Sequence, residues 1–136
     1  VPPIMVGGSG RKFTLRVAAR HADWWNAHYK SMDQLRDEVG ALRGHCEAED
    51  RDFDSIRKVY NTRIFMDRSH KAALKTAEEW RERVPESIAG DPSSVRDELT
   101  RLAEELGMDA LIAAFPRFQD TDDMKMFIDE VIPAFA

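Results

Sequence analysis

A chain of 136 residues with 43% apolar and 33% charged side chains has the composition of one globular domain, residues 1–136, with a modest core. The net charge of −5 and the lack of a basic run argue against a nucleic-acid partner, which requires a basic face. No apolar run approaches the length of about 20 residues that crosses a bilayer, so no membrane partner is expected.

The N-terminal part of the chain is predicted to form two strands around a helix. Residues 4–6 are an apolar run that predicts a short buried strand, and a glycine-rich segment ends it. We call this segment, which comprises Gly7, Gly8, Ser9 and Gly10, the glycine loop. Helical spacing of apolar residues follows from Arg11, at Phe13, Val17, Ala18, His21 and Ala22. The aromatic segment 23–27 predicts a second short strand.

The next segment predicts a helix and a long strand. Ser31 or Asp33 is a suitable N-cap, and the all-charged segment 49–52 should end the helix near Ala48. One apolar stripe recurs at helical spacing in this segment, at Leu35, Val39, Leu42 and Cys46. Residues 55–65 are rich in β-branched and aromatic side chains and predict the third strand.

The C-terminal half predicts three helices and one strand. Residues 69–82 have a helical pattern, and Asp91 followed by Pro92 is typical of a helix start. Gly107 should end that second helix, whose buried stripe is Val95, Leu99, Leu102 and Leu106. Residues 109–115 predict the fourth strand. A last helix should begin near Thr121, with an inner face of Met124, Phe127, Ile128, Val131 and Ile132.

Strands that alternate with amphipathic helices predict an α/β fold with parallel strands and right-handed crossovers. A complete (β/α)₈ barrel needs at least ~200 residues, so the predicted architecture is a partial, half TIM barrel of about four βα units. Such a half barrel has two open sheet edges, and open edges pair with other strands. We therefore expect a homodimer, or a complementary half-barrel chain as partner.

Five segments, taken in order, carry a resemblance to a known family. They are residues 2–10, residues 14–26, residues 42–52, Gly90–Val95 and residues 126–135. Together they resemble the second half of the barrel in the luciferase-like monooxygenases, the bacterial luciferase superfamily of flavin- and deazaflavin-dependent oxidoreductases. Trp24 departs from the family pattern, which has glycine or another small residue there, and it would narrow the space beside the site.

The glycine loop is the main candidate site. A glycine-rich turn between a strand and a helix N-terminus presents backbone N–H groups that suit a phosphate, although many tight βα turns contain glycine for steric reasons alone. The resemblance implies that Gly7, Gly8, Ser9 and Gly10 bind the phosphate of FMN or of the deazaflavin F-420, with Arg11 or Lys12 adding charge. The Gly-Gly pair resembles the deazaflavin branch more. Candidate residues lining the barrel mouth are Trp25, which also suits a core position, Asn26 and Phe115.

Other chemistry is not indicated by the remaining residues. The four histidines have no metal-ligand spacing, so no metal is expected. Cys46 lies on an apolar stripe and is expected to be a buried, inert thiol. The pair Asp122 and Asp123 is expected to be solvated or to cap the last helix. No catalytic acid or base can be assigned.

The sequence leaves three functions open. The first is the C-terminal portion of a luciferase-like oxidoreductase or monooxygenase that acts on a small organic substrate once the barrel is complete. The second is a truncated, non-catalytic half barrel that acts as an oligomerising or partner subunit and holds no coenzyme. The third is a phosphate-ligand module without redox chemistry. A start at Val1 suggests truncation by proteolysis, gene splitting or shortening of a paralogue, and the lack of a signal peptide predicts a cytoplasmic location.

Overall fold

The computed structural model describes residues 1–28, 30–117 and 119–136. Strands and helices alternate along the chain. They are β1 (Met5–Gly7), α1 (Thr14–His21), β2 (Trp24–His28), α2 (Met32–Ala48), β3 (Arg57–Met66), α3 (His70–Glu79), β4 (Ile88–Gly90), α4 (Pro92–Leu106), β5 (Ala110–Ala114) and α5 (Asp122–Met126). A 3-10 turn over Phe53–Ser55 precedes β3. After α5 the chain continues as a π-helical turn, Phe127–Val131, and a 3-10 turn, Ile132–Phe135.

The strands form a five-stranded sheet, which confirms the α/β half-barrel prediction. Parallel pairs join β1 to β2, β2 to β3 and β3 to β4, and β5 also pairs with β3. The sequence did not predict β4, because its three residues end in the glycine that marks the start of α4. The chain groups into two compact units, residues 1–61 with 103–112 and residues 62–102 with 113–136. A single domain over residues 1–136 stays a prediction.

Strand β1 is exposed, so the prediction of a buried strand was wrong. Ile4 and Met5 keep 51% and 45% of their surface exposed. The strand lies at the end of the sheet order, where β2 is its neighbour, and an edge strand has fewer elements to bury it. The Asp23 carboxylate accepts a hydrogen bond from the backbone N–H of Ile4 at 2.7 Å, which fixes the entry to the strand.

The buried face of α1 differs from the predicted one. Phe13 and Val17 are 73% and 48% exposed. Ala18 and Ala22 of the predicted row are fully buried, and so are Leu15 and Ala19, which the prediction did not include. The small alanines let α1 pack closely on α2, and the same spacing places Val17 on the solvent side.

Helix α2 matches the prediction closely. The Ser31 hydroxyl caps it by accepting a hydrogen bond from the backbone N–H of Gln34 at 3.2 Å, and the helix ends at Ala48. All four residues of the predicted stripe are buried, namely Leu35, Val39, Leu42 and Cys46. Burial raises the pKa of the Cys46 thiol above its ordinary value, although Arg51 and Lys58 act in the opposite direction. The predicted buried thiol is therefore confirmed.

The start of α4 in the second unit also follows the sequence. An Asp91 carboxylate oxygen accepts a hydrogen bond from the backbone N–H of Ser94 at 2.8 Å, and this bond lowers the pKa of Asp91. Gly107 has a φ of +64°, the left-handed conformation that glycine adopts at little cost after a helix. The predicted stripe of α4 is buried at Val95, Leu99, Leu102 and Leu106.

The last helix buries a different row from the predicted one. Phe127 and Val131 are buried as expected, and the third member of their row, four residues before Phe127, is Asp123 at 1% exposure. The adjacent row is at least 39% exposed and comprises Met124, Ile128 and Ile132. Asp123 accepts hydrogen bonds from Arg117 and from the backbone N–H of Met66. The prediction that this carboxylate is solvated or a simple cap was therefore wrong, because the half-buried Arg117 guanidinium offsets its desolvation.

Candidate functional site

The glycine loop lies between the C-terminal end of β1 and the start of α1. Gly7 is the last residue of β1, and Gly8 has a φ of +120°, which is strained for any residue with a side chain. The Gly8 backbone N–H donates to the Asn26 carbonyl oxygen at 3.1 Å. Its carbonyl oxygen accepts a hydrogen bond from Trp25 Nε1 at 2.8 Å. Both the backbone N–H and the carbonyl oxygen of Gly8 are therefore hydrogen-bonded to residues of β2.

The three glycines have different steric surroundings. A Cβ on Gly10 would lie 2.7 Å from Thr14 Oγ1, and a Cβ on Gly8 would lie 3.2 Å from Thr14 Cγ2. A Cβ on Gly7 would have no atom of the described residues within 4 Å. Thus Gly8 and Gly10 let the loop approach α1 closely, whereas Gly7 borders open space that a ligand could enter.

The N-terminus of α1 follows the loop and is electrostatically suited to an anion. Within the described part of the chain, no side chain caps this end, where Phe13 is the N-cap residue. The first turn carries no acidic residue, while Arg20 and His21 lie in the last turn. The positive end of the helix dipole is therefore not neutralised by the helix itself.

Lys30 brings a cationic side chain to the loop. Its Nζ donates to Ser9 Oγ at 2.8 Å and to Glu38 Oε1 of α2 at 3.0 Å. Sequence reasoning missed both Lys30 and Glu38. A signal was present, because Lys30 follows β2 just as Ser9 follows β1, and the carboxyl ends of neighbouring parallel strands meet at one edge.

The side chains of Arg11 and Lys12, which were expected to add positive charge at the glycine loop, make their contacts outside it. The Arg11 guanidinium is 3.9 Å from the Asp37 carboxylate, and both side chains are well exposed. The Lys12 ammonium lies 5.6 Å from the centre of the Phe13 ring. The cationic side chain that contacts the loop is thus Lys30, not Arg11 or Lys12.

The three candidate mouth residues have different environments. Trp25 is fully buried and belongs to the core of the first unit. Asn26 is half-buried, and its Oδ1 atom has no hydrogen-bond partner among the described residues. Phe115, in the second unit, packs edge-on against Phe127 with ring centres 5.5 Å apart. Only Trp25 and Asn26 belong to the strand that holds the glycine loop.

No metal centre appears in the described residues, since no group of three or more His, Cys, Asp or Glu side chains is arranged to hold an ion. His45 instead makes a hydrogen bond of 2.7 Å through Nε2 to the backbone carbonyl of Arg11. Across residues 1–28, 30–117 and 119–136, no helix is both long and apolar enough to cross a membrane.

The family is shown by comparison with known protein families. The model of the luciferase-like monooxygenases matches residues 1–105, which is most of the chain. The chain therefore belongs to the luciferase-like monooxygenase family. A search of the curated proteins finds no match to this sequence.

Solved structures of similar fold fall in the same group. Riboflavin lyase, solved with modified FMN and the substrate riboflavin, superposes with a TM-score of 0.80 at 16% identity, over 99% of this chain and 43% of its own. The coenzyme F-420-dependent tetrahydromethanopterin reductase from Methanopyrus kandleri gives 0.74 at 18% identity, over 98% and 51%. The oxygenating constituent of 3,6-diketocamphane monooxygenase from Pseudomonas putida, in complex with FMN, gives 0.71 at 16% identity, over 98% and 49%. This chain spans about half the length of these structures.

Proposed function

We propose that this chain contributes the coenzyme-phosphate site of a flavin- or deazaflavin-dependent luciferase-like oxidoreductase. The observation that carries the proposal is the hydrogen bond of 2.8 Å from Lys30 Nζ to Ser9 Oγ, which puts an ammonium and a hydroxyl together in the glycine loop. Both groups are good phosphate donors, since the ammonium has three N–H bonds and the hydroxyl can rotate.

The residues of the loop fit a phosphate group. Gly7, Gly8, Ser9 and Gly10 form a turn at the end of a parallel strand, beside the uncapped N-terminus of α1. Open space next to Gly7 leaves room for the group, and Trp25 fixes the Gly8 carbonyl so that the loop is preorganised. Preorganised donors reduce the entropy that binding would otherwise cost.

FMN or F-420 would supply the redox chemistry, a hydride or electron transfer to a small organic substrate or to oxygen. The part of this chain would be to bind and orient the coenzyme. Lys30 and Ser9 would hold the phosphate, and Asn26 would help to fix the loop through its backbone carbonyl, which accepts the Gly8 N–H. Substrate-binding residues would come from the rest of a complete barrel.

A second candidate function rests on the exposed strand β1. Met5 in this strand and Ile4 just before it are about half exposed, and a strand at the end of the sheet order pairs readily with another strand. The strand would then join this chain to a second copy, as a homodimer, or to a complementary half-barrel segment. In this role the glycine loop would be a plain turn and the chain would be a non-catalytic subunit.

Titration of the purified protein with FMN and with F-420, followed by coenzyme fluorescence, tests the first function. We expect saturable binding that Lys30→Met weakens at least about tenfold, because a charge-assisted phosphate contact is lost. Lys12→Met is the matched control, since that lysine lies on the Phe13 ring and should change affinity little. Lack of binding to either coenzyme would contradict the proposal.

Native mass spectrometry separates the two functions. A dimer of this chain without retained coenzyme would favour the assembling half barrel. A complex that retains a flavin-sized adduct would favour the coenzyme site, whether the rest of the barrel comes from the same polypeptide or from a second chain.

A further inference from the structure

Two of the three cations near the glycine loop, Lys30 and Arg11, are paired with carboxylates. Lys30 Nζ lies 3.0 Å from Glu38 Oε1, and the Arg11 guanidinium lies 3.9 Å from Asp37. The remaining cation, Lys12, lies against Phe13, whose side chain is 73% exposed, so solvent screens its charge. The formal charge of these five side chains is +1, and the surplus charge is that of Lys12, which is exposed to solvent, whereas the charge of Lys30, which contacts Ser9, is paired with Glu38.

Glu38 is unusual among these carboxylates because it is buried. Only 5% of the residue is exposed, and its second oxygen, Oε2, has no hydrogen-bond partner among the described residues. A buried carboxylate with an unsatisfied oxygen destabilises the fold unless its charge is balanced, and even a balanced pair is weak evidence for stability. Stability of the fold therefore does not account for the negative charge of Glu38. A role at the glycine loop, which Lys30 contacts, does account for it.

The charge that remains for an anion is small. With Lys30 offset by Glu38, the loop presents the Ser9 hydroxyl, the Lys30 N–H groups and the N-terminus of α1, which acts as roughly half a positive charge. A phosphate monoester carries about −1.5 to −2 charges at neutral pH, whereas a phosphodiester carries one. The second negative charge of a monoester would be repelled by the buried carboxylate of Glu38, and among the described residues no cation besides Lys30 contacts the loop to balance it.

We infer that Glu38 is a specificity-determining residue that adapts the glycine loop to a singly charged phosphodiester, the form of phosphate in F-420, over the phosphomonoester of FMN. The inference rests on the proposed coenzyme site and goes further, because it chooses between the two coenzymes by charge. Glu38 acts through Lys30, whose ammonium it both positions at Ser9 Oγ and partly neutralises.

The test compares two ligands with one chromophore, FMN and its methyl phosphodiester, in fluorescence titrations at pH 7.5 and low salt. The wild-type protein should bind the diester more tightly than FMN by at least about threefold. Glu38→Gln removes the negative charge with little change of shape, so it should tighten FMN about tenfold and the diester clearly less. Glu47→Gln, which removes an exposed carboxylate from the same helix, should leave the ratio of the two dissociation constants unchanged.

Riboflavin, which has no phosphate, makes the two possible failures distinguishable. If riboflavin binds as tightly as FMN and the diester, the loop does not bind phosphate and the proposed coenzyme site is wrong. If both phosphates bind more tightly than riboflavin but Glu38→Gln leaves their ratio unchanged, the charge selection is wrong and the coenzyme site stands. The wild-type ratio is measured without any variant, so a wild-type preference for FMN also overturns the inference even if Glu38→Gln does not fold.

Discussion

The indole Nε1 of Trp25 donates a hydrogen bond of 2.8 Å to the carbonyl oxygen of Gly8. Trp25 is fully buried in β2, so a core side chain determines the position of the loop that follows β1. The same strand accepts the Gly8 backbone N–H through the Asn26 carbonyl at 3.1 Å. Both polar groups of Gly8 are therefore committed to β2, and packing of the core and geometry of the loop are coupled through one residue.

Replacement of Trp25 by Phe should increase the mobility of the glycine loop and lower the stability of the fold moderately. The phenyl ring fills most of the space but cannot donate, so the Gly8 carbonyl loses its partner. We expect the free energy of unfolding to fall by about 1–3 kcal/mol, measured by urea denaturation. We also expect faster amide hydrogen exchange at Ser9 and Gly10, because the loop loses one of the two hydrogen bonds that join Gly8 to β2.

Trp24→Phe is the matched control for this substitution. The Trp24 side chain is half-buried and its ring faces the Arg57 guanidinium at 5.2 Å, an interaction that phenylalanine can replace in part. The control should leave hydrogen exchange in the loop unchanged. Equal exchange in the two variants would mean that the indole hydrogen bond does not hold the loop.

The two adjacent glycines should respond differently to alanine. Gly8→Ala forces a side chain into a φ of +120° and 3.2 Å from Thr14 Cγ2, so we expect a loss of about 1–3 kcal/mol in the free energy of unfolding. Gly7→Ala has open space around its new methyl group and should cost much less. Urea denaturation of both variants checks the order, and a larger loss in Gly7→Ala would contradict the assignment of strain to Gly8.

Elements with strong local signals could be predicted from the sequence. Ser31 and Asp91 cap helices as expected because an N-cap bond involves residues only three apart, and Gly107 ends α4 for the same local reason. The stripe on α2 was correct because four regularly spaced apolar residues leave a single buried face. These features depend on residues close in sequence and little on tertiary contacts.

Features that depend on distant residues could not be predicted in the same way. The face of α1 was predicted only in part, because Ala18 and Ala22 are buried while Phe13 and Val17 of the same predicted row are exposed. The contact of Lys30 with Ser9 joins residues 21 apart and is visible only once β1 and β2 are paired. Burial of Asp123 likewise depends on a guanidinium six residues away and on the backbone of Met66.

Helix α4 should lose stability in acid through Asp91. Its pKa is lowered chiefly by the hydrogen bond from the Ser94 N–H, so its stabilising contribution is present above the ordinary value of 3.8 and is lost as the pH falls through the lowered value. Asp91→Ala should therefore reduce Tm at pH 7 and reduce it less at pH 2. Asp91→Asn retains a capping oxygen without charge and should keep more of the stability at pH 7.

Thermal denaturation of the three proteins between pH 7 and pH 2 measures this effect. The differences in Tm between wild type and Asp91→Ala should shrink as the carboxylate is protonated. A difference that is constant across this range would show that the charge of Asp91 does not contribute to the cap.

Removal of Arg117 should be the most destabilising of these changes, because it leaves a buried charge. Asp123 is 1% exposed and its carboxylate is held by the Arg117 guanidinium and by the Met66 backbone N–H. Without the guanidinium, the Met66 bond cannot offset the desolvation of the carboxylate. We expect Arg117→Ala to lower the free energy of unfolding by about 3 kcal/mol in urea denaturation.

Two further variants test whether the loss comes from the unpaired charge. Arg68→Ala breaks an ion pair of 2.7 Å with Glu130 in which the arginine side chain is 75% exposed, so it should change stability by less than about 1 kcal/mol. Asparagine at position 123 carries no charge, and the double variant Arg117→Ala with Asp123→Asn should be more stable than Arg117→Ala alone. If the double variant is less stable, the main role of Arg117 is packing and not neutralisation of Asp123, because removal of the charge then brings no recovery.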